Sequence, residues 1–281
     1  MLSSPAMIRL GHIVYSNCIP VHALLLDEPQ PGIELVADVP SRLNAALASG
    51  AIDVAPCSSI EYARHADDYR ILPQHAIGSA GPVHSILLES RVPLARLDAQ
   101  TVAVPDASAT SMVLLRILLE REHGVRPYYT WYDQALVADP TQHDAAAALR
   151  IGDVALTREP VAGRHVFDLG AEWFRWTGLP FAFAVWQVRR EVERSALLYL
   201  HDLLQQSRTY FETHAAALAE RHAPASGLSA VRLLDYWRSL QFELDEPMQQ
   251  GLLEFYRHAA ELGEAPAVAS LDIIRLNEFE Q

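Results

Sequence analysis

Short turns that carry hydroxyl and amide side chains follow several predicted strands of this 281-residue chain. Three of them lead into predicted helices: Tyr15 to Cys18 after the first strand, Cys57 to Ser59 after the third, and Asp106 to Ser111 after TVAVP. In open parallel sheets, ligands bind at the carboxyl ends of the strands, and helix starts there offer unpaired N–H groups to an anion. Ser, Thr and Asn are also favoured N-caps, so capping explains any one turn by itself. Three such turns directed at one crevice favour a small anionic ligand.

Residue types that perform other chemistries are absent or scattered. All 22 basic residues are arginines, and the lack of lysine excludes a Schiff base, a pyridoxal-phosphate enzyme and a P-loop. The 12 histidines form no H-E-x-x-H or H-x-H pair, which predicts that the protein has no metal site. Cys18 and Cys57 follow strands and could be nucleophiles, but the sequence ties no histidine to either. Buried packing is the favoured interpretation of both.

The overall composition restricts the partners and the location of the protein. Half of the residues are hydrophobic, which is enough for a substantial core. The formal charge of −13 argues against nucleic acid or an anionic membrane surface as the partner, because both attract a basic face. Two cysteines are too few for a disulfide framework, no apolar run approaches about 18 residues, and the N-terminal segment lacks the pattern of a secretory signal. We therefore expect a cytoplasmic protein without a membrane partner.

The elements that would position the polar turns alternate between strands and helices. From IRLGHIVY to IEYARHADD a strand and a helix follow each other three times, and the rhythm restarts with TVAVP and a helix that ends at Gly124. Such alternation predicts α/β units with parallel sheets covered by helices. In the second unit we predict a helix over 135–152 and a strand over 153–157. The run 180–188 is apolar enough for a buried strand. The remaining chain is predicted to be helical over 191–222, 227–240 and 246–262.

Two α/β units followed by helices with no sheet of their own predict two lobes joined by two crossings. We expect the first lobe to comprise 1–92 and 176–281, with the C-terminal helices packed on it, and the second lobe to comprise 93–175. The crossings would lie near 91–95 and 168–178. The ligand would bind in the cleft between the lobes, where the polar turns meet.

Six stretches of the sequence resemble a known family. In chain order, between about residues 8 and 190, they are YSNCIP, LNAALASGAIDVAPCSSIEYAR, YRILPQHAIGSAGPVHSILLES, DASATSMVLLRILL, RIGDVALT and GLPFAFAVW. Together they resemble the chorismate dehydratases of the futalosine route to menaquinone. The resemblance implies a type II periplasmic-binding-protein-like fold with two α/β lobes, two hinge crossovers and a cleft, which agrees with the architecture inferred above.

The resemblance also implies an activity, in which chorismate loses water to give 3-[(1-carboxyvinyl)oxy]benzoate without a metal or an organic cofactor. The substrate carries two carboxylates, and its own side-chain carboxylate is implied as the base. By their motifs, Asn17 and Ser85 match active-site residues of the family. From the motifs and the polar turns together, the predicted substrate-binding residues are Ser58, Ser59, Ser79, Ser108, Thr110 and Ser111. Around Ser79 the stretch AIGSAG departs from the serine-rich pattern of the family, and Asp153 is interpreted as a structural residue at the start of a strand.

Two alternatives stay open at the level of the sequence. The first is a non-catalytic cytosolic protein that binds a small carboxylate, because this fold holds ligands more often than it transforms them. The second is the sibling enzyme of the same pathway, 1,4-dihydroxy-6-naphthoate synthase. The strings SATS and CSSIEYAR favour the dehydratase over the sibling. The sequence does not indicate an oligomeric state.

Overall fold

Two mixed sheets form the frame of the protein. The computed structural model describes residues 7–106, 109–137, 139–142 and 144–276. Within these residues the first sheet has five strands, in the spatial order β2 (Ile33–Asp38), β1 (Ile8–Ile13), β3 (Val54–Ser58), β10 (Phe181–Arg189) and β4 (Tyr69–Ser79). The second sheet, within the same ranges, also has five, in the order β7 (Tyr128–Tyr132), β6 (Thr101–Pro105), β8 (Ala147–Ile151), β5 (Ile86–Ser90) and β9 (His165–Asp168).

The helices lie mostly on the faces of these sheets. In the described part of the chain they are α1 (Ile19–Asp27), α2 (Pro40–Ser49), α3 (Ser59–Arg64), α4 (Ala109–Ile117), α5 (Gly152–Thr157), α6 (Leu169–Thr177), α7 (Arg194–Ser226), α8 (Ala230–Ser239) and α9 (Glu246–Glu261). The last three confirm the helices that were predicted beyond residue 191. Among the helices described, none is both long and apolar enough to cross a membrane.

The expectation of parallel sheets is wrong for the strands that follow each crossing. β1 runs parallel to β2 and β3, and β6 runs parallel to β7 and β8. In contrast, β10 is antiparallel to β3 and β4, and β5 is antiparallel to β8 and β9. The chain crosses between the sheets at the cleft. β5 and β10 therefore begin opposite the C-terminal ends of the parallel strands. They must therefore run in the opposite direction.

The predictions for 135–152 and 153–157 are also wrong. The alanine-rich end of the first range forms the strand β8, and the second range belongs to the helix α5. Alanine favours helices, but every residue of β8 is buried between β5 and β6, as a central strand requires. Gly152, at a φ of 62°, then permits the sharp turn into α5. Asp153 accordingly lies in the first turn of a helix and not at the start of a strand.

The crossings between the sheets lie where the chain passes the cleft. The second, through α6 between β9 and β10, falls within the expected 168–178. The first lies between Ser79 and Ile86 instead of near 91–95, because β5 pairs with β8 and β9 in the second sheet. The apolar pattern of this strand suits either sheet, and only long-range pairing decides between them. We therefore propose that the second lobe begins near Ala80 rather than at residue 93.

The C-terminal helices pack on the first lobe, as expected. α7 lies along α1, and a Cβ on Gly251 of α9 would be 2.0 Å from the carbonyl oxygen of Pro180, so only glycine permits this approach. After α9 the chain returns to β4 through a bridge at Ile273. The helices also reach the second lobe, where the guanidinium of Arg232 donates to the carbonyl oxygen of Leu156 at 3.0 Å. The C-terminal segment thus contacts both sides of the cleft.

Candidate active site

A cavity lies between the two sheets, and the space free of protein atoms there is about 480 Å³ when the solvent at its open side is included. The ends of β1, β3 and β8 and the beginnings of β5 and α4 contribute to it. Its polar lining comes from Tyr15, Asn17, Ser58, Ser85 and Ser111, and its apolar lining includes Ile13, Ile86, Ile151 and Phe183. Within the described residues, no acidic, basic or histidine side chain lines this cavity. A ligand would therefore be held by neutral hydrogen-bonding groups.

The turn that follows β1 is fixed from two directions. The Ser16 hydroxyl donates to Asp153 Oδ1 at 2.5 Å, and the Ser16 N–H lies 3.3 Å from both carboxylate oxygens. The carbonyl oxygen of Ser16 accepts a hydrogen bond from Trp237 Nε1 at 2.8 Å. Burial raises the pKa of Asp153, and the two Ser16 donors oppose that effect. Since Asp153 lies in the second lobe and Ser16 in the first, this contact joins the two lobes beside the lining residues Asn17 and Gly152.

Asn17 is the next residue of that turn, and its side chain lines the cavity. Asn17 Oδ1 is buried and has no hydrogen-bond partner among the residues that the structure describes. A buried acceptor without a partner costs about 1–3 kcal/mol, so such a group points to a ligand that supplies the donor. A hydroxyl group of a ligand would satisfy it.

Ser85 lies on the opposite side of the cavity, just before β5. Its Oγ accepts a hydrogen bond from the Tyr236 hydroxyl at 3.0 Å, and its carbonyl oxygen accepts one from the Gly152 N–H at 2.8 Å. The preceding residue, His84, has a φ of 62°, which is unusual for a residue with a side chain. The Asp168 carboxylate accepts the N–H of His84 at 2.6 Å and so fixes this conformation. The first crossing is thereby tied to the start of α6, which Asp168 also caps.

The structure separates the predicted site residues into two groups. Asn17, Ser58, Ser85 and Ser111 line the cavity. Three others are not among the lining residues: Ser59 donates to the carbonyl oxygen of Ala182 at 2.6 Å, Ser79 donates to that of Gly81 at 2.9 Å, and Thr110 accepts from the Ile60 N–H at 3.1 Å. These three contacts fix the walls of the cleft. Ser108 lies outside the described residues.

Several residues near the cavity were not predicted. Tyr15 lines it, and burial raises the pKa of its hydroxyl. Gly152 also lines it, and a Cβ there would lie 3.3 Å from the Tyr15 ring. A glycine directly before DVALT was the available signal for that close approach. Tyr236 and Trp237 gave no signal, because only the tertiary structure brings them to the cleft.

Three titratable residues, His12, Cys18 and His22, form a separate cluster in the first lobe. His12 Nδ1 lies 3.0 Å from His22 Nδ1, and the Cys18 sulfur lies 3.7 Å from the same His22 nitrogen. All three residues are buried, and none lines the cavity. Burial lowers the pKa of His12 to about 4 and that of His22 well below its ordinary value, and it raises the pKa of Cys18 to about 12. The sequence spacing did not reveal this proximity. With neutral rings and a protonated thiol, the cluster is a hydrogen-bonded part of the core.

Comparisons with known proteins agree on a family and a fold. A family model described as menaquinone biosynthesis matches residues 8–261. A Thermus thermophilus protein named chorismate dehydratase is 32% identical over 260 residues, which cover 88% of this chain and 93% of the relative. The 1,4-dihydroxy-6-naphthoate synthase of the same organism is 29% identical, over 73% of each chain. The crystal structure of the periplasmic aliphatic sulphonate-binding protein from Escherichia coli superposes with a TM-score of 0.68 at 17% identity, covering 99% of this chain and 93% of that one. At that identity the likeness shows the fold alone.

Proposed function

The chain belongs to the menaquinone-biosynthesis family, and from this premise we propose that it is a chorismate dehydratase. The proposed reaction removes water from chorismate and gives 3-[(1-carboxyvinyl)oxy]benzoate, as a hydro-lyase of the futalosine route that acts in the cytoplasm without a metal or an organic cofactor. The observation that carries the proposal is the 32% identity to a chorismate dehydratase over 88% of the chain. The family model matches residues 8–261, a range that contains every described residue lining the cavity.

The chemistry of this elimination makes modest demands on the protein. The proton leaves the ring carbon that bears the enolpyruvyl ether, where the ring carboxylate activates it through the conjugated double bond. The hydroxyl leaves from the neighbouring carbon, and the new double bond completes an aromatic ring. A site that orients the substrate and stabilises the developing charge is sufficient, which suits a cavity of neutral groups.

Asn17 and Ser85 are proposed to hold the leaving hydroxyl from opposite sides. The unpartnered Asn17 Oδ1 would accept a hydrogen bond from the hydroxyl of chorismate. The Ser85 Oγ accepts a hydrogen bond from the Tyr236 hydroxyl, so its own proton is available for a hydrogen bond to the leaving oxygen. The Asn17 contact would fix the position of the hydroxyl, and the Ser85 contact would stabilise the oxygen as its bond to carbon breaks. The proton taken from the ring carbon would leave with this hydroxyl as water.

Ser58 and Ser111 are proposed to bind the carboxylates, one from each lobe. Ser58 precedes α3, and Ser111 lies in the first turn of α4, where the positive end of the helix dipole favours an anion. Both side chains line the cavity. No arginine is among the described lining residues, so this mode of binding relies on hydroxyls and backbone dipoles.

The base is proposed to be the side-chain carboxylate of the substrate itself. Within the described residues, the lining of the cavity supplies no carboxylate, imidazole or amine that could take the proton. The enolpyruvyl carboxylate is attached next to the reacting carbon, and an intramolecular proton transfer of this kind benefits from its high effective molarity. The protein's part is then to hold the side chain of the substrate in the reactive conformation.

The experiment is an incubation of the purified protein with chorismate, followed by chromatography and mass spectrometry. We expect an aromatic product one water lighter than chorismate. Tight binding of chorismate with no conversion after long incubation would favour the non-catalytic binding protein. The 29% identity to the naphthoate synthase makes a parallel incubation with a cyclised futalosine derivative the second arm. Turnover of that compound alone would favour the sibling enzyme.

A further inference from the structure

The helix α8 contacts one wall of the cavity in each lobe through two consecutive residues. Tyr236 donates its hydroxyl proton to Ser85 Oγ at 3.0 Å, and Trp237 donates its indole N–H to the carbonyl oxygen of Ser16 at 2.8 Å. Both side chains are buried, with 5% and 1% of their surfaces exposed. The two sides of the cavity therefore share a support outside both sheets.

We propose that Tyr236 is a positioning residue, which orients the Ser85 hydroxyl so that its proton points into the cavity. The inference rests on the proposed function, in which Ser85 donates to the leaving hydroxyl of chorismate. A serine hydroxyl has one proton, and the phenol of Tyr236 occupies a lone pair of the oxygen. The remaining proton is then directed to a ligand oxygen, and the chain of two donors makes it a stronger donor than an isolated serine.

The bonding of other tyrosines shows how Tyr236 differs. Tyr132, Tyr199 and Tyr256 donate their hydroxyl protons to backbone carbonyl oxygens at 2.6 to 2.9 Å. Those hydrogen bonds attach the tyrosine side chains to the backbone of other segments. Tyr236 donates instead to a side-chain hydroxyl that lines the cavity, 151 positions away in the sequence. Burial raises the pKa of Tyr236, so the phenol stays protonated and remains a donor.

The second contact of α8 supports the same arrangement from the other wall. Trp237 holds the carbonyl of Ser16, and Ser16 directly precedes Asn17. Ser85 and the turn of Asn17 are thus held by neighbouring residues of one helix. A shift of α8 would alter both groups that are proposed to hold the leaving hydroxyl.

A double-mutant cycle between Tyr236 and Ser85 tests the inference. Tyr236→Phe keeps the ring and removes one buried hydrogen bond, and we expect kcat on chorismate to fall about tenfold while KM changes less than about twofold. In the Ser85→Ala background the same substitution should have no further effect on kcat, because the group through which Tyr236 acts is gone. A full tenfold loss in that background would overturn the inference.

Tyr62→Phe is the matched control. Tyr62 is also buried, and its hydroxyl also links a lobe to the C-terminal segment, where it accepts from the Asp272 N–H at 2.8 Å. We expect similar losses of thermal stability in the two single variants and a loss of kcat only in Tyr236→Phe. Equal kcat values in the two variants would contradict the proposed role. An inactive wild-type protein would instead refute the proposed function, so the two failures are distinguishable.

Discussion

Two polar regions lie on either side of the end of β1, and they differ in the kind of group they contain. The polar lining of the cavity between the lobes consists of hydroxyls and one amide, with no carboxylate, basic side chain or histidine among its described residues. The cluster of His12, Cys18 and His22 consists only of groups that ordinarily titrate, yet it is buried in the core of the first lobe. The titratable groups of this cluster are therefore not among those that line the cavity.

The difference has a physical cause in each region. In the cluster, desolvation keeps the imidazoles neutral and the thiol protonated, so these groups act as packing and hydrogen-bonding residues near pH 7. In the cavity, fixed neutral donors and acceptors need no change of charge before they bind a substrate. If this contrast is right, substitutions in the cavity should change turnover, and those in the cluster should change stability.

The largest effect is expected for Asn17→Ala, which removes a cavity amide from the turn after β1. We expect kcat on chorismate to fall by at least about a hundredfold in a folded protein, because the leaving hydroxyl loses its positioning partner. Steady-state kinetics and circular dichroism measure the two quantities. Cys18→Ala changes the next residue of the same turn, which faces the cluster, and serves as the control with kcat within about threefold of the wild type. Near-normal turnover of Asn17→Ala would remove Asn17 from the mechanism.

A smaller loss is expected when the support of that turn is weakened. Asp153→Ala removes the acceptor of the Ser16 hydroxyl and N–H, and we predict about a tenfold decrease in kcat through displacement of Asn17. Asp139 makes the same pair of contacts, to the hydroxyl and N–H of Thr141, in a loop that does not line the cavity. Asp139→Ala should therefore lower thermal stability and leave kcat within about twofold. Equal kinetic losses in the two variants would mean that Asp153 acts on the fold in general.

The cluster is predicted to affect stability rather than turnover, in a direction that follows from its pKa values. His12 has a pKa of about 4 in the folded protein and about 6.5 when unfolded, so the unfolded chain binds its proton first as the pH falls. Its contribution is complete above about pH 6.5 and is lost toward pH 4, at up to about 1.4 kcal/mol per pH unit. Urea unfolding at several pH values measures this slope.

The same substitution at a cluster histidine and at an exposed histidine tests whether burial causes this pH dependence. His12→Gln should reduce the slope of unfolding free energy against pH between about pH 6.5 and 4, and the same change at the exposed His165 is the control. Neither variant should change kcat by more than about threefold near pH 7. A large kinetic loss in His12→Gln would break the separation between the two regions.

The sequence predicted the two-lobed architecture, and it failed where long-range pairing overrides local preference. The apolar run of β10 and the periodicity of α7, α8 and α9 were strong enough to identify these elements. The alanines of β8 favoured a helix, and only burial between two neighbouring strands makes them a strand. Likewise, nothing local in β5 shows that its partners lie in the second sheet.

The candidate site also combines residues that the sequence predicted with residues that only the tertiary structure reveals. Asn17, Ser58 and Ser111 lie in turns that follow predicted strands, and the position of those turns was sufficient to place them at the cavity. Ser85, which also lines the cavity, was predicted from the family motif alone. Ser59 and Thr110 have the same residue types in the same turns, but their hydroxyls bond across to Ala182 and Ile60. The direction of a side chain in such a turn depends on contacts distant in the sequence, which lie within the first lobe for Ser59 and between the lobes for Thr110. Tyr236 and Trp237 contact partners 151 and 221 positions away, which no pattern in the sequence marks.

The pH dependence of kcat on chorismate tests the central claim, that neutral groups of the protein and the substrate's own carboxylate carry the reaction. The carboxylates of chorismate are ionised above about pH 5, and the described residues that line the cavity include no carboxylate, imidazole or amine that would titrate near neutrality. We therefore expect kcat to vary by less than about threefold between about pH 6 and 9. A bell-shaped profile, or a tenfold decrease along a single titration in that range, would show that a side chain of the protein transfers the proton and would contradict the account.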